Sequence, residues 1–158
     1  MGVSGSGKTT VGRALAAALQ WPYVDADDFH SRENVAKMRS GHALTDADRA
    51  PWLASLHAAI ARAIGRREPL VLACSALKHS YRRALAADLR TVRFVHLTAP
   101  EPALRERLAG RTDHFARPNL LASQLATLEP PTDDEALIVD ALLPIDTIVA
   151  RIRYSFGL

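Results

Sequence analysis

A single cysteine, Cys74, in 158 residues excludes an internal disulfide and any metal site built on several thiolates. Aromatic residues are scarce at 6%, and no basic block is interleaved with them, so the footprint of a nucleic-acid surface is missing. The formal charge is only +3, carried mostly by scattered arginines, which suits small anionic ligands better than a polyanion. No apolar run approaches the roughly 18 residues of a membrane span, and no segment reads as a secretory leader. The expectation is a cytoplasmic protein with no membrane and no nucleic-acid partner. Repeats and low-complexity tracts are also absent. What remains, 48% hydrophobic and 23% charged, is the make-up of one globular domain with its own core, taken here as residues 1–158.

Against these absences stands Gly2-Val3-Ser4-Gly5-Ser6-Gly7-Lys8-Thr9, which satisfies G-x-x-x-x-G-K-[ST] at every specified position. Such a loop turns its backbone N–H groups inward on an anion. Glycines admit the dihedrals this needs and keep side chains out of the approach. Lys8 is expected to reach the β- and γ-phosphates of a nucleoside triphosphate, and the Thr9 hydroxyl to ligate the Mg²⁺ that bridges them. The helix opening at Lys8 would point its positive end at the same phosphates. Gly2, Ser4, Gly5, Ser6, Gly7, Lys8, Thr9 and the following Thr10 form the expected nucleotide-contacting set. A flexible Gly/Ser linker would explain the glycines but not Lys-Thr running into the helical pattern Val11, Leu15, Ala18, Leu19. One customary neighbour is missing. A phosphate loop normally follows a buried strand, yet only Met1 precedes Gly2, so the first strand is expected to be absent or truncated.

The remainder alternates helix and strand. Helical patterns cover Lys8–Gln20, Ser31–Met38, a long segment capped by Thr45-Asp46-Ala47-Asp48, the stretch from Ser75 to about Leu89, the region of Leu104–Arg111, Leu120–Leu128 and Pro144–Tyr154. Strands fit Tyr23–Asp25, Leu70–Cys74, Val92–Leu97 and Ala136–Asp140. This alternation defines an α/β fold with a doubly wound parallel sheet. Ligands of such sheets bind outside the carboxyl ends of the strands. There the sequence places Asp25-Ala26-Asp27-Asp28-Phe29-His30 after one strand and Ser75-Ala76-Leu77-Lys78-His79-Ser80-Tyr81-Arg82 after another. The carboxylates suit a Mg²⁺–phosphate site. Lys78 and Arg82, four apart, are expected on one helix face, where they could hold an anionic group. Arg107 and Arg111 stand one turn apart before a polar segment, as a basic element closing over phosphates requires. Trp52 and Cys74 read as core.

The phosphate loop, Asp25-Ala26-Asp27-Asp28-Phe29-His30, Leu44 through Trp52, Cys74-Ser75-Ala76-Leu77-Lys78 and His114-Phe115 through Leu128-Glu129-Pro130-Pro131 together resemble the gluconokinases, P-loop kinases of small molecules. The resemblance spans nearly the whole chain. It implies a P-loop NTPase three-layer sandwich of strand order 2-3-1-4-5, a substrate-binding region at about 29–53 and a helical lid at about 108–125. It implies ATP and Mg²⁺ as cofactors, transfer of the γ-phosphoryl group to the 6-hydroxyl of D-gluconate, and a homodimer. By position, Lys8 serves the phosphates and Thr9 the Mg²⁺. By similarity to shikimate kinases, Asp25 holds Mg²⁺ through water and Asp27 meets the acceptor hydroxyl. Arg107 is implied near the adenine or phosphates, and Arg111 as the charge that neutralises the transferring group. His30, Arg49, Lys78, Arg82 and Gln124 are the candidates for the sugar acid's carboxylate and hydroxyls. Two alternatives stay open at this point: a P-loop kinase of another small hydroxy acid such as shikimate, or a nucleotide-binding protein made inactive by N-terminal truncation.

Overall fold

A computed structural model of the chain describes residues 1–110 and 118–158. The first helix, α1 (Lys8–Leu19), starts directly from the phosphate loop and buries Val11, Gly12, Leu15 and Ala16. Gln20 then takes a left-handed conformation, and its N–H closes the helix on Ala16 and Ala17. The chain continues through β1 (Tyr23–Asp25), a 3₁₀ turn over Ala26–Phe29, α2 (Arg32–Arg39) and α3 (Asp46–Gly65). Ser31 caps α2 by accepting from the Asn34 N–H, and Thr45 with Asp48 forms a reciprocal capping box on α3. Next come β2 (Val71–Ala73), α4 (His79–Ala86), β3 (Val95–Thr98), α5 (Glu101–Ala109), α6 (Pro118–Thr127), β4 (Leu137–Asp140) and α7 (Ile145–Phe156).

The strands pair in parallel as β1–β2, with Val24 opposite Leu72, and β3–β4, with Leu97 opposite Val139. Backbone groups of the first two residues stand between the pairs. The Met1 amino group donates to Val95 O, the Leu97 N–H donates to Met1 O at 3.0 Å, and the Gly2 N–H donates to Ser75 O at 3.1 Å. Of the expected order 2-3-1-4-5 the structure thus contains the two outer pairs, and among the described residues no strand precedes Gly2.

Helices cover both faces, which gives three layers. On one face α1 and α7 pack over β3 and β4 through Val11, Leu15, Leu97, Val139, Ile148 and Ile152. On the other, α3 and α4 close over β1 and β2 through Trp52, Leu56, Cys74, Tyr81 and Leu85. Leu56 is fully buried, worth roughly 2–3 kcal/mol of apolar transfer. A third cluster joins Val3 of the phosphate loop to Leu77, Leu104, Leu108 and Leu121, so α5 and α6 rest directly on that loop.

One expectation changes in detail. The helix expected from Ser75 begins only at His79, because Ala76 takes φ 45°, a left-handed conformation that interrupts helical backbone. Pro51 lies in the second turn of α3; lacking an N–H, it leaves Ala47 O without an intrahelical donor. The lid expected at 108–125 includes residues 111–117, and with them Arg111, that lie outside the described residues. Among the described residues no helix is long and apolar enough to cross a membrane.

Candidate active site

The phosphate loop is shaped by close packing. A side chain at Gly2, whose φ is 141°, would place its Cβ 2.7 Å from Leu97 O; one at Gly5, φ 83°, would sit 2.9 Å from Leu104 O. Only glycine fits either place. Gly7, φ 89°, faces open space instead, on the side from which an anion would approach. The Lys8 ammonium donates to Val3 O at 3.0 Å, curling back over the loop it serves. Ser6 is fully buried, and its hydroxyl has no partner among the described residues. A buried, unsatisfied hydroxyl inside a glycine cradle at a helix N-terminus fits a phosphate group, which would supply the missing oxygen. Thr10, by contrast, is exposed.

Thr9 and Asp25 both stand beside Tyr23, whose hydroxyl donates to Asp25 Oδ2 at 3.0 Å. Burial first, and the Asp25 bond second, push the Tyr23 hydroxyl up to about 12, so it stays a donor at neutral pH. Gly12 makes this possible, since a Cβ there would lie 2.8 Å from the Tyr23 ring. The other Asp25 oxygen accepts from the Asp27 N–H at 3.2 Å and caps the 3₁₀ turn. Both oxygens keep lone pairs for a water-bridged cation. Among the described residues no three His, Cys, Asp or Glu side chains converge as a metal cage. The Thr9 hydroxyl and the Asp25 carboxylate, beside a phosphate cradle, are the oxygen donors that an ion such as Mg²⁺ takes together with phosphate oxygens and water.

Asp27 sits at the mouth of the cleft and keeps solvent access. The crowding around its carboxyl, and then the Asp25 charge, push its pKa above the usual carboxylate range, while Lys8 and His30 oppose the shift. His30 stacks on Trp52 with ring centroids 4.5 Å apart and 11° between planes. Its Nδ1 is buried and unpartnered among the described residues, and burial lowers its pKa, so the imidazole is neutral at pH 7. Trp52 is core, as expected, but it is also the wall that sets the His30 ring; its Nε1–H donates to Ala26 O at 2.7 Å. Beside them lies an open cavity of about 570 Å³ bordered by His30, Arg32, Val35, Ala36, Arg39 and Ser40. Two arginines on its rim, Arg32 and Arg39, suit an acid.

The other candidates part ways. Arg49 donates to Leu44 O at 2.5 Å and lies over the Tyr81 ring, 5.7 Å from its centroid. Lys78 lies 5.4 Å from the same centroid and pairs with Asp46 at 2.8 Å; the Tyr81 hydroxyl donates to the same carboxylate. Lys78 and Arg82 do not share a face. Lys78 is the non-helical cap of α4, so one-turn spacing does not apply to it, while Arg82 points inward and is 2% exposed. The Arg82 guanidinium grips Glu135 with two bonds of 2.6 and 3.0 Å and donates to the carbonyls of Ala76, Leu77 and Glu129. It locks the strained Ala76 turn to the segment after α6. Its donors are taken up by these protein oxygens. Gln124 also lies elsewhere than expected: its Oε1 accepts from the Ser4 N–H of the phosphate loop at 2.6 Å. Arg107, on α5, donates to Ala141 O at 2.8 Å, at the carboxyl end of β4 beside the half-exposed Leu142. Burial pushes the Cys74 thiol up to about 11, which agrees with a core role. Sequence reasoning missed Asp46, Tyr81 and Glu135, whose partners are 32 or more residues away.

A glycine cradle at the end of a central helix, facing two carboxylates and a basic rim at the carboxyl ends of parallel strands, defines a P-loop phosphotransferase for a small acceptor. A family described as an AAA domain matches residues 1–131. The chain is 49% identical over 138 residues to the gluconokinase of Gluconobacter oxydans (strain 621H), covering 87% of this chain and 78% of that protein. It is 38% identical over 152 residues to the thermoresistant gluconokinase of Escherichia coli (strain K12), covering 95% and 87%. A crystal structure of a gluconokinase from Sinorhizobium meliloti 1021 superimposes with a TM-score of 0.85 at 44% identity, over 99% of this chain and 89% of that one. This chain belongs to the gluconokinase family of P-loop kinases.

Proposed function

We propose that this protein transfers the γ-phosphoryl group of ATP to the 6-hydroxyl of D-gluconate, giving 6-phospho-D-gluconate and ADP. The observation that carries the reading is the juxtaposition of the glycine cradle and its orphaned Ser6 hydroxyl with Asp25, Asp27 and the basic rim, in a chain 49% identical to a named gluconokinase. Backbone N–H groups of the loop and Lys8 hold the β- and γ-phosphates. Thr9, with Asp25 through water, holds Mg²⁺, which when bound offsets the charge on the phosphates. Asp27 aligns the acceptor hydroxyl. As the oxygen–phosphorus bond forms and the γ-phosphorus parts from the bridging oxygen, the hydroxyl proton passes to the Asp27 carboxylate. The transition state is loose, so alignment matters more than prior deprotonation. Arg107 and the turn at Ala141–Leu142 support the nucleotide, and Arg111 neutralises the transferring group. His30, stacked on Trp52, and Arg49 face the sugar acid; Arg49 carries the charge for its carboxylate. The enzyme works in the cytoplasm, where ATP is available.

The test is a phosphorylation assay over gluconate, other sugar acids and shikimate with ATP and Mg²⁺. Gluconate is expected to be the preferred acceptor. Turnover of shikimate with none of gluconate overturns the assignment.

A further inference from the structure

One peptide group in the phosphate loop, Val3–Ser4, is held on both edges. Its carbonyl oxygen accepts from Lys8 Nζ at 3.0 Å and from the Ser6 N–H at 3.2 Å. Its N–H donates to Gln124 Oε1 at 2.6 Å, from a helix 120 residues further along the chain. Bonds on opposite edges of one peptide reinforce each other, because an ammonium at the oxygen polarises the N–H. Besides these bonds, the buried Val3 side chain anchors one end of the plane. Gly2 and Gly5, on either side of it, both take positive φ and place no side chain against it.

Gln124 itself is projected from a fixed base. Leu121, one turn earlier on α6, is fully buried against Val3, Leu77, Leu104 and Leu108. Past the end of the helix, the Glu129 N–H donates to Leu77 O at 2.9 Å, and the Glu129 carboxylate accepts from the His79 N–H at 2.7 Å. The amide oxygen is therefore delivered to Ser4 by elements tied to both sides of the cleft.

We propose that Gln124 is a positioning residue for phosphoryl transfer: it fixes the plane of the Val3–Ser4 peptide and, through its carbonyl, the place of the Lys8 ammonium. Gln124 does not contact the sugar acid in this role, which replaces the role suggested by family resemblance. Without its acceptor the peptide can rotate, and Lys8 loses the fixed oxygen that sets its starting point. A displacement of about 1 Å at such a group is enough for a rate loss on the order of a hundredfold. The rate argument rests on the kinase reading above; the hydrogen-bond argument does not.

The experiment compares the whole protein with Gln124→Met, which keeps length and loses the acceptor, and Gln124→Glu, which keeps an acceptor. The readouts are hydrogen exchange at the Ser4 amide, melting temperature, and kcat and KM for ATP and gluconate. For Gln124→Met we expect exchange at Ser4 at least about tenfold faster and kcat lower by about ten- to a hundredfold. The gluconate KM should hold within about twofold, with melting little changed. Gln124→Glu should restore protection at Ser4 and a clear part of kcat, with a higher ATP KM from its charge. Unchanged exchange at Ser4 in Gln124→Met overturns the proposal, as does a defect confined to the gluconate KM, or a kcat equally low in both variants. Gln124→Asn, one methylene short of Ser4, supplies the same comparison on a milder change if the methionine variant does not fold. If the unaltered protein does not phosphorylate gluconate while Ser4 exchange still responds to Gln124, the substrate assignment fails and the loop contact stands.

Discussion

On the phosphate side of the cleft the holding is done by backbone, and on the acceptor side by side chains. Gly2 and Gly5 are pressed against Leu97 and Leu104 carbonyls, so the loop's shape is set by what cannot be there. Across the cleft, His30 is set by Trp52, and Arg49 and Lys78 flank the Tyr81 ring. A backbone site recognises what every nucleoside triphosphate shares. A side-chain site distinguishes one acceptor from another, because one changed group alters which hydroxyl or carboxylate is matched. A third element belongs to neither side: Arg82, Glu129 and Glu135 tie α4 to the segment after α6.

That third element gives the largest expected effect. Arg82→Met takes the guanidinium from the Ala76 and Glu129 carbonyls and from Glu135, which keeps only His79, while Leu77 O keeps the Glu129 N–H; stranding several polar groups around a buried charge typically destabilises by about 3–5 kcal/mol. Urea unfolding should record that loss, while the gluconate KM of the folded variant stays within about twofold. Intact stability with a gluconate KM raised tenfold or more would return Arg82 to the acceptor side.

Asp27→Asn probes the junction. It should lower kcat by about a hundred- to a thousandfold and leave ATP affinity nearly unchanged by calorimetry. Crowding and the Asp25 charge raise the Asp27 pKa, so in the unaltered enzyme the active, ionised form is lost as pH falls through a value above the ordinary carboxylate range. The acid limb of the kcat/KM profile, which reports the free enzyme, should therefore sit high, and Asp27→Asn should lack it. An identical acid limb in the variant assigns the titration to another group.

The smallest effect is expected from Asp46→Asn. The carboxylate is exposed, and Lys78 and then Tyr81 hold its pKa below the usual range. Exposed pairs contribute little, so melting should barely move and the gluconate KM should shift by no more than about threefold. A larger shift in KM would show that Asp46 sets where Lys78 stands for the acceptor.

The residues differ sharply in how far the sequence alone reveals them. The phosphate loop and the Thr45–Asp48 capping box were legible because each is a local pattern, closed within a few residues by backbone geometry. The helix–strand alternation was legible for the same reason, apart from ends shifted where Ala76 turned left-handed. Arg82 was not legible. Spacing alone cannot tell a solvated arginine from one gripped by Glu135, and the partner lies 53 residues away. Gln124 was named for the sugar acid, and its contact with the Ser4 N–H was not legible, since nothing near it in sequence points there.

The sequence by itself determined the fold class, the triphosphate cradle and the carboxylates at the strand ends, because each depends on short-range dihedral and periodicity constraints. Only the tertiary structure decided which charged side chains face the cleft and which knit the interior. That choice depends on long-range packing: the fully buried Leu121 seats α6 on Val3, and that seat brings Gln124 to the loop.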